Sequence, residues 1–115
     1  MFRLKRAYDP AAKADGLRVL VERLWPRGVS KARLGLDLWA REVAPSTALR
    51  QCFGHDPERW REFRRRYQAE LRAHRDAWQP LVNAARRGRV TLIYAARDAQ
   101  HNGALVLRAF LDRKL

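Results

Sequence analysis

Apolar side chains occupy both faces of two short stretches of the chain, and this pattern predicts two β-strands buried inside a sheet. The first strand opens the segment Arg18–Lys31, and the second is Val90–Ala95. A strand with one face in water would instead alternate apolar and polar residues. The apolar positions of the first strand are Leu17, Val19, Leu20, Val21 and Leu24.

A turn rich in cations is predicted to follow the first of these strands. Pro26 ends the strand because proline has no N–H to donate to a neighbouring strand. Gly28 permits a sharp backbone turn, and Ser30 is a suitable N-cap for a short helix over Lys31–Leu36. A buried strand followed by a glycine turn, a helix start and positive charge is typical of anion binding.

Two further segments are predicted as strands from their alternation. Phe2–Tyr8 is the strand nearest the N-terminus, and turn signals at Asp9–Pro10 and Asp15–Gly16 separate it from the strand that opens Arg18–Lys31. That connection is too short for an ordinary parallel crossover, so the two strands either pair antiparallel or have a compressed connection. Asp37–Ala44, closed by Pro45, favours a short strand, and a helix remains the alternative.

Apolar residues at spacings of three and four predict amphipathic helices in the second half of the chain. Ser46 caps a helix over Thr47–Phe53, and Asp56–Pro57 starts the next helix. Gly88 ends a third helix, and Ala104–Leu111 forms a C-terminal one. The apolar faces of the second and third helices consist of Trp60, Phe63, Tyr67 and Leu71, and of Trp78, Leu81, Val82 and Ala85.

Strands that alternate with helices predict a single α/β domain over residues 1–115. Its sheet is small and mainly parallel, with three to four strands flanked by helices in three layers. Ligands of such folds bind beyond the carboxyl ends of the strands. The polar loops Trp25–Lys31 and Arg97–Asn102 follow the two most hydrophobic strands, so both are predicted at one rim of the sheet.

The composition limits the cellular compartments and the binding partners that are expected for this protein. Cys52 is the only cysteine, which excludes an intramolecular disulfide and fits a reducing compartment. No stretch approaches the roughly 20 apolar residues of a membrane span, so we expect a cytoplasmic protein, either a monomer or a homodimer. The net charge of +13 favours an anionic partner or simply reflects an arginine-rich composition.

The two polar loops supply the candidate site residues. Arg23, Arg27 and Lys31, with Ser30, are predicted to hold a small anion, and Trp25 walls the pocket. The alternative is a solvated basic turn, or for Arg23 an ion pair with Glu22, Asp37 or Asp98. The three histidines, His55, His74 and His101, share no ligand spacing, so neither a metal nor a cofactor is predicted.

The second loop carries groups able to move protons. His101 is a candidate acid or base near neutral pH, and Asp98 either orients it or caps the C-terminal helix. Asn102 and the hydroxyl of Tyr94 complete the predicted site. Ser30 is the one hydroxyl nucleophile that the first loop offers to His101, and no nucleophile-elbow motif surrounds it.

Four blocks of sequence resemble one family. Arg18–Lys31, Asp37–Ser46, Phe53–Trp60 and Tyr94–Asn102 together resemble the YeaO-like branch of a bacterial domain-of-unknown-function family. The resemblance covers nearly the whole chain and implies one complete domain, without implying an activity. It also implies that longer members of the wider family carry cysteine and histidine in the last of these loops, where this chain has no cysteine.

Three functions are compatible with these observations. The first is a pocket for a small anionic ligand, with or without catalysis. The second is sequence-independent nucleic-acid binding through the arginine-rich helix Arg59–Arg75. The third is an interaction module without a ligand of its own, which a large exposed apolar patch would favour.

Overall fold

A four-stranded parallel sheet forms the centre of the molecule in a computed structural model that describes residues 1–115. The strand order is β1-β4-β2-β3, and every neighbouring pair is parallel. The predicted α/β class with a small parallel sheet is therefore confirmed. The strands are β1 (Arg3–Arg6), β2 (Leu17–Leu20), β3 (Leu38–Trp39) and β4 (Val90–Tyr94).

Five α-helices surround the sheet, and single 3₁₀ turns at Lys13–Asp15, Arg41–Val43 and Pro57–Arg59 join the elements. The predicted caps are present, since Ser30 Oγ accepts from Arg33 N–H and Ser46 Oγ accepts from Leu49 N–H. The helices are α1 (Lys31–Leu34), α2 (Thr47–Phe53), α3 (Trp60–Ala73), α4 (Arg75–Arg87) and α5 (Gly103–Asp112).

The antiparallel alternative for the first two strands is wrong, because β4 lies between them. β4 is buried along its whole length, so it takes a central position where helices and loops cover both faces. β1 is more polar and takes an edge. The compressed Ala7–Gly16 connection therefore runs from the level of Tyr94, at the carboxyl end of β4, back to the level of Val90, and it contains one 3₁₀ turn, Lys13–Asp15.

The second strand ends earlier than Pro26, and this is a further correction. Regular pairing stops at Leu20, and one more hydrogen bond joins Val21 N–H to the Ile93 carbonyl at 3.1 Å. The N–H of Ala95, the residue after β4, donates to the Glu22 carboxylate at 3.2 Å and not to the β2 backbone. Leu24, predicted inside the strand, is 67% exposed.

Because β2 is short, its neighbour β3 is also short. The predicted strand over Asp37–Ala44 reduces to Leu38–Trp39, with one further hydrogen bond from Ala40 N–H to Leu20 O at 2.8 Å. The remainder becomes the Arg41–Val43 turn. Val43 is fully buried there, and its carbonyl accepts a hydrogen bond from the Tyr67 hydroxyl of α3.

Two apolar clusters of unequal size pack on the two faces of the sheet. Alternate residues of β4 point to opposite faces, so Leu92 and Tyr94 join the larger cluster and Ile93 joins the smaller one. The larger cluster contains the apolar faces of α2, α3, α4 and α5. The smaller cluster lies under α1 and consists of Ala7, Leu20, Val29, Leu34 and Ile93. No helix is long and apolar enough to cross a bilayer.

Candidate ligand-binding site

A cleft of about 480 Å³ opens where the chain leaves the carboxyl ends of β2 and β4. These strands are parallel neighbours, so their exits lie at the same edge of the sheet. The cleft is closed on its other sides by α2, by the turn after α2 and by the first residues of α5. Its lining consists of Glu22, Leu24, Pro45, Thr47, Arg50, Gln51, Phe53, His55, Phe63, Ala95, Ala96, Asn102 and Gly103.

Glu22 places a carboxylate in the cleft at the point where β2 ends. It is half-buried and accepts a hydrogen bond from Ala95 N–H at 3.2 Å. Burial raises the pKa of Glu22, and the Ala95 hydrogen bond and the charges of Arg50 and His55 offset this only in part. Glu22 is therefore protonated more readily than an exposed glutamate.

Arg50 brings positive charge to the same cleft, and His55 contributes an imidazole. Arg50 is half-buried on α2, and its guanidinium forms no ion pair in the protein. His55 follows Gly54, the residue that ends α2, and its own backbone is left-handed with a φ of 57°. An unpaired, half-buried guanidinium in a concave site is suited to a carboxylate or phosphate, which it contacts through two parallel hydrogen bonds.

Aromatic and proline side chains form the apolar wall of the cleft. The rings of Phe53 and Phe63 are stacked with their centroids 4.4 Å apart. Pro45 packs against the start of α5, where a Cβ added at Gly103 would lie 3.3 Å from the proline ring. The absence of a side chain at Gly103 therefore lets α5 approach closely enough to close this end of the cleft.

Asn102 is the one sequence-predicted site residue that lines the cleft, and its polar atoms are used for capping. Its Oδ1 accepts from Leu105 N–H at 3.0 Å, and its Nδ2 donates to the Asp98 carbonyl at 2.8 Å. Asn102 is therefore the N-cap of α5, and the prediction that Asp98 caps this helix is wrong. Asparagine does this because its side-chain oxygen reaches the free N–H groups of the first turn.

Asp98 instead holds His101. The Asp98 carboxylate lies 3.0 Å from His101 Nδ1 and also accepts from the N–H groups of Gln100 and His101. The Gln100 hydrogen bond is the main cause of a lowered pKa at Asp98, and the His101 contacts add to it. The imidazole packs edge-on against Trp60, with centroids 5.3 Å apart, beside the cleft and not among its lining residues.

Arg23 and Tyr94 take part in packing on the larger face of the sheet. The guanidinium of Arg23 donates to the carbonyls of Pro45 at 2.8 Å and Ala44 at 3.3 Å. The alternative that Arg23 pairs with a carboxylate is wrong, because these two carbonyls use its donors. Tyr94 is buried within the larger apolar cluster.

The remaining predicted residues lie over the smaller face. Trp25 donates to the Val29 carbonyl at 2.5 Å, and Val29 packs into the smaller cluster. Arg27, Ser30 and Lys31 are exposed on the same segment. The two polar loops thus leave one edge of the sheet, but they then pass to opposite faces.

The position of Glu22 in the sequence indicates a role that hydrophobic periodicity does not reveal. Glu22 is a lone acidic residue directly after a run of apolar strand residues, and such a residue must find a partner or a cavity. Arg50 and His55 had no comparable signal, because their approach to the strand exits depends on where α2 packs.

Comparisons with known proteins agree over nearly the whole chain. A family model described as the inactive DUF488-N3 subclade matches residues 1–115. The chain is 45% identical over 107 residues to "Uncharacterized protein YeaO" of Escherichia coli, covering 93% of each chain. It is 39% identical over 110 residues to "Uncharacterized protein Rv3073c" of Mycobacterium tuberculosis, covering 96% of this chain and 92% of that one. No solved structure matches.

Proposed function

The chain belongs to the YeaO-like family described by the inactive DUF488-N3 subclade, and on that premise we propose that it binds a small anionic molecule without transforming it. The proposed site is the cleft at the ends of β2 and β4. The observation that carries the proposal is the half-buried Arg50 guanidinium, which has no carboxylate partner and lines a concave site.

The lining of the cleft narrows the chemistry of this ligand. Arg50 would hold a carboxylate or phosphate, and the apolar body of the ligand would lie against Phe53, Phe63 and Pro45. Glu22, when protonated, would donate a hydrogen bond to the same anion. Affinity for an anion should therefore rise as the pH falls toward the raised pKa of Glu22.

Two observations favour binding over catalysis. The subclade to which the chain belongs is described as inactive. No serine or cysteine lines the cleft, and its one hydroxyl is that of Thr47, which has no histidine or carboxylate bonded to it. The Asp98–His101 pair stands beside the cleft, and proton transfer by this pair would be the catalytic form of the proposal.

Thermal melting with matched aromatic ligands tests the proposal. Benzoate and phenyl phosphate fit the combination of Arg50 with an aromatic wall, and benzamide is the uncharged control. At a concentration 100 times the dissociation constant, binding adds about 2.7 kcal/mol of stability, which raises the melting temperature by about 10 °C. Benzamide should produce no comparable rise.

Two variants locate the site. Arg50→Gln should weaken benzoate binding roughly tenfold, because one charge-assisted hydrogen-bonding group is removed. Arg27→Gln is the matched control, since Arg27 belongs to the alternative anion position formed with Ser30 and Lys31 on the opposite face. Equal shifts in wild type and Arg50→Gln, or a loss confined to Arg27→Gln, would remove the cleft from consideration.

A further inference from the structure

A second concave surface shares no lining residue with the cleft and consists of two neighbouring hollows, formed by α3, α4 and α5 and lined by cations. One half of it, about 420 Å³, is flanked by Arg64 of α3 and by Arg113, which follows α5. The other half, about 410 Å³, has a floor of Trp78 and Phe110. We call the two halves the basic groove, and its cations are Arg64, Arg72, Arg75, Arg86, Arg113 and Lys114.

These six cations have no acidic partners. None of them forms an ion pair, and no aspartate or glutamate lines either half of the groove. Two of them are held in place by neutral groups, since Arg75 Nε donates to Gln79 and Arg86 Nη2 donates to the Lys114 carbonyl at 2.9 Å. Those bonds fix the side chains and leave other guanidinium N–H groups free.

The acidic residues of α3 and α5 lie outside the groove, and the exposed Asp76 of α4 lines neither half of it. Glu70 of α3 accepts from the Ser46 N–H and hydroxyl, at 2.9 and 2.5 Å. Asp112 of α5 accepts from Phe2 N–H at 2.9 Å. Glu62 lines a small hollow beside Cys52 on the α2 side of α3. The groove is therefore lined by cations without carboxylates, whereas Glu62 shares its hollow with Arg59 and Arg66.

The cations extend along the groove and are not gathered at one point. Arg64 and Arg72 are two helical turns apart on α3, a separation of about 12 Å along the axis. Arg75, Arg86 and Lys114 continue the positive charge beyond the end of that helix. One phosphate or carboxylate would meet only a fraction of these groups, whereas a chain of phosphates would meet them in succession.

From this arrangement we infer that the basic groove binds the phosphate backbone of a nucleic-acid strand, independently of base sequence. The groove shares no lining residue with the cleft, so this binding is separate from the proposed anion site. Trp78 and Phe110 are buried floor residues and offer no free face to stack on a base. Its recessed shape favours a strand over the flat surface of a membrane.

Fluorescence anisotropy with a labelled single-stranded 20-mer, and with the same sequence as a duplex, tests the inference between 25 and 200 mM salt. The groove variant is Arg64→Glu/Arg72→Glu/Arg86→Glu. The control variant, Lys13→Glu/Arg27→Glu/Arg97→Glu, changes the net charge equally at exposed residues outside the groove. We expect the groove variant to lose at least about 30-fold in affinity and the control about threefold or less.

The salt dependence gives a second measurement on the same samples. Each lost phosphate contact should reduce the slope of log K against log salt by about 0.7 to 0.9. The milder variant Arg64→Gln/Arg72→Gln/Arg86→Gln keeps the test valid if charge reversal prevents folding. Equal weakening by groove and control variants, no binding at 25 mM salt, or groove-dependent binding of anionic phospholipid vesicles in place of nucleic acid would overturn the inference.

Discussion

At the scale of single residues, Arg18 shows how a charge can belong to the interior of this small domain. Its side chain is only 5% exposed, and it donates to the Leu34 carbonyl at 3.1 and 2.7 Å and to Asp15 at 2.5 Å. Asp15 also binds Lys5 and the Ala12 N–H. This single carboxylate therefore joins β1, β2 and the 3₁₀ turn between them.

Asp15→Asn is expected to lower the free energy of unfolding by about 2–3 kcal/mol at pH 7, because Arg18 loses its charged partner while it stays buried. Burial alone would raise the pKa of Asp15, but the bonds from Ala12, Lys5 and Arg18 outweigh it and lower that pKa. The ionised form thus stabilises the fold above the ordinary pKa of aspartate.

This contribution disappears as the pH falls through the lowered pKa of Asp15. The difference between wild type and Asp15→Asn should therefore narrow in acid, below about pH 4. Urea denaturation at pH 7 and at pH 3 measures both quantities. Asp9→Asn, at an exposed position, is the control and should cost less than about 0.5 kcal/mol. A cost for Asp15→Asn no larger than that of the control would contradict this account of Arg18.

At the scale of the elements, the position of β2 depends on a close approach at its first residue. Leu17 N–H donates to the Arg89 carbonyl at 2.9 Å, which brings the start of β2 against the residue before β4. Gly16 makes this possible, since it has a φ of 65° and a Cβ there would lie 2.3 Å from Arg89 O. The turn and the register of β2 on β4 are therefore fixed together.

Gly16→Ala should cost about 3 kcal/mol or more, because the added methyl group meets backbone and the left-handed conformation is also strained. Gly28→Ala is the matched control, with a φ of 77° and no atom within 4 Å of the added Cβ. Gly28→Ala should lower the free energy of unfolding by only about 1–2 kcal/mol, which is the strain of placing alanine in a left-handed backbone conformation. Chemical denaturation measures the free energy of unfolding of the two variants. Similar losses of stability would show that the backbone at Arg89 moves away from the added methyl group at little cost.

The sequence predicted those elements whose signals are local. The caps at Ser30 and Ser46 and the buried strand of β4 depend on neighbouring residues, and the structure has them in place. The end of β2 was missed because a side chain, Glu22, takes the Ala95 N–H that a longer strand would have bonded. Arg50 was missed because nothing near it in sequence indicates which strands α2 will pack beside.

The residues of the predicted site lie on opposite faces of the sheet for a related reason. Parallel strands brought the two loops to one edge, as the topology required, but the face that each loop then follows is decided by distant packing partners. Val29 packs on Leu20 and Ile93, which holds Arg27 and Lys31 on the smaller face. Trp60 holds His101 on the larger face. Hydrophobic periodicity does not contain this information.

At the scale of the whole molecule, the lysines and arginines greatly outnumber the carboxylates that pair with them. The chain has 25 lysines and arginines, and among these only Lys5, Arg18 and Arg59 lie within ion-pair distance of a carboxylate. With a net charge of +13, mutual repulsion opposes the compact state. A polyanion or an increase in ionic strength should reduce that opposition.

We expect the melting temperature to rise by about 4 °C when sodium chloride is increased from 20 to 500 mM, which corresponds to roughly 1 kcal/mol for a domain of this size. Scanning calorimetry over that range measures the rise. The triple glutamine variant of the basic groove carries less charge and should respond less steeply. A melting temperature that is unchanged or falls with salt would show that the surface charges do not repel one another appreciably.

The strand order has a consequence for how the protein is made. β1 and β2 emerge from the ribosome early, yet each obtains its shared partner only when β4, at Val90–Tyr94, has also been synthesised. Until then β1 has no neighbour, and β2 can pair only with the two residues of β3. The nascent chain therefore stays without its sheet during most of translation, and the edges of its early strands remain unpaired until β4 is made.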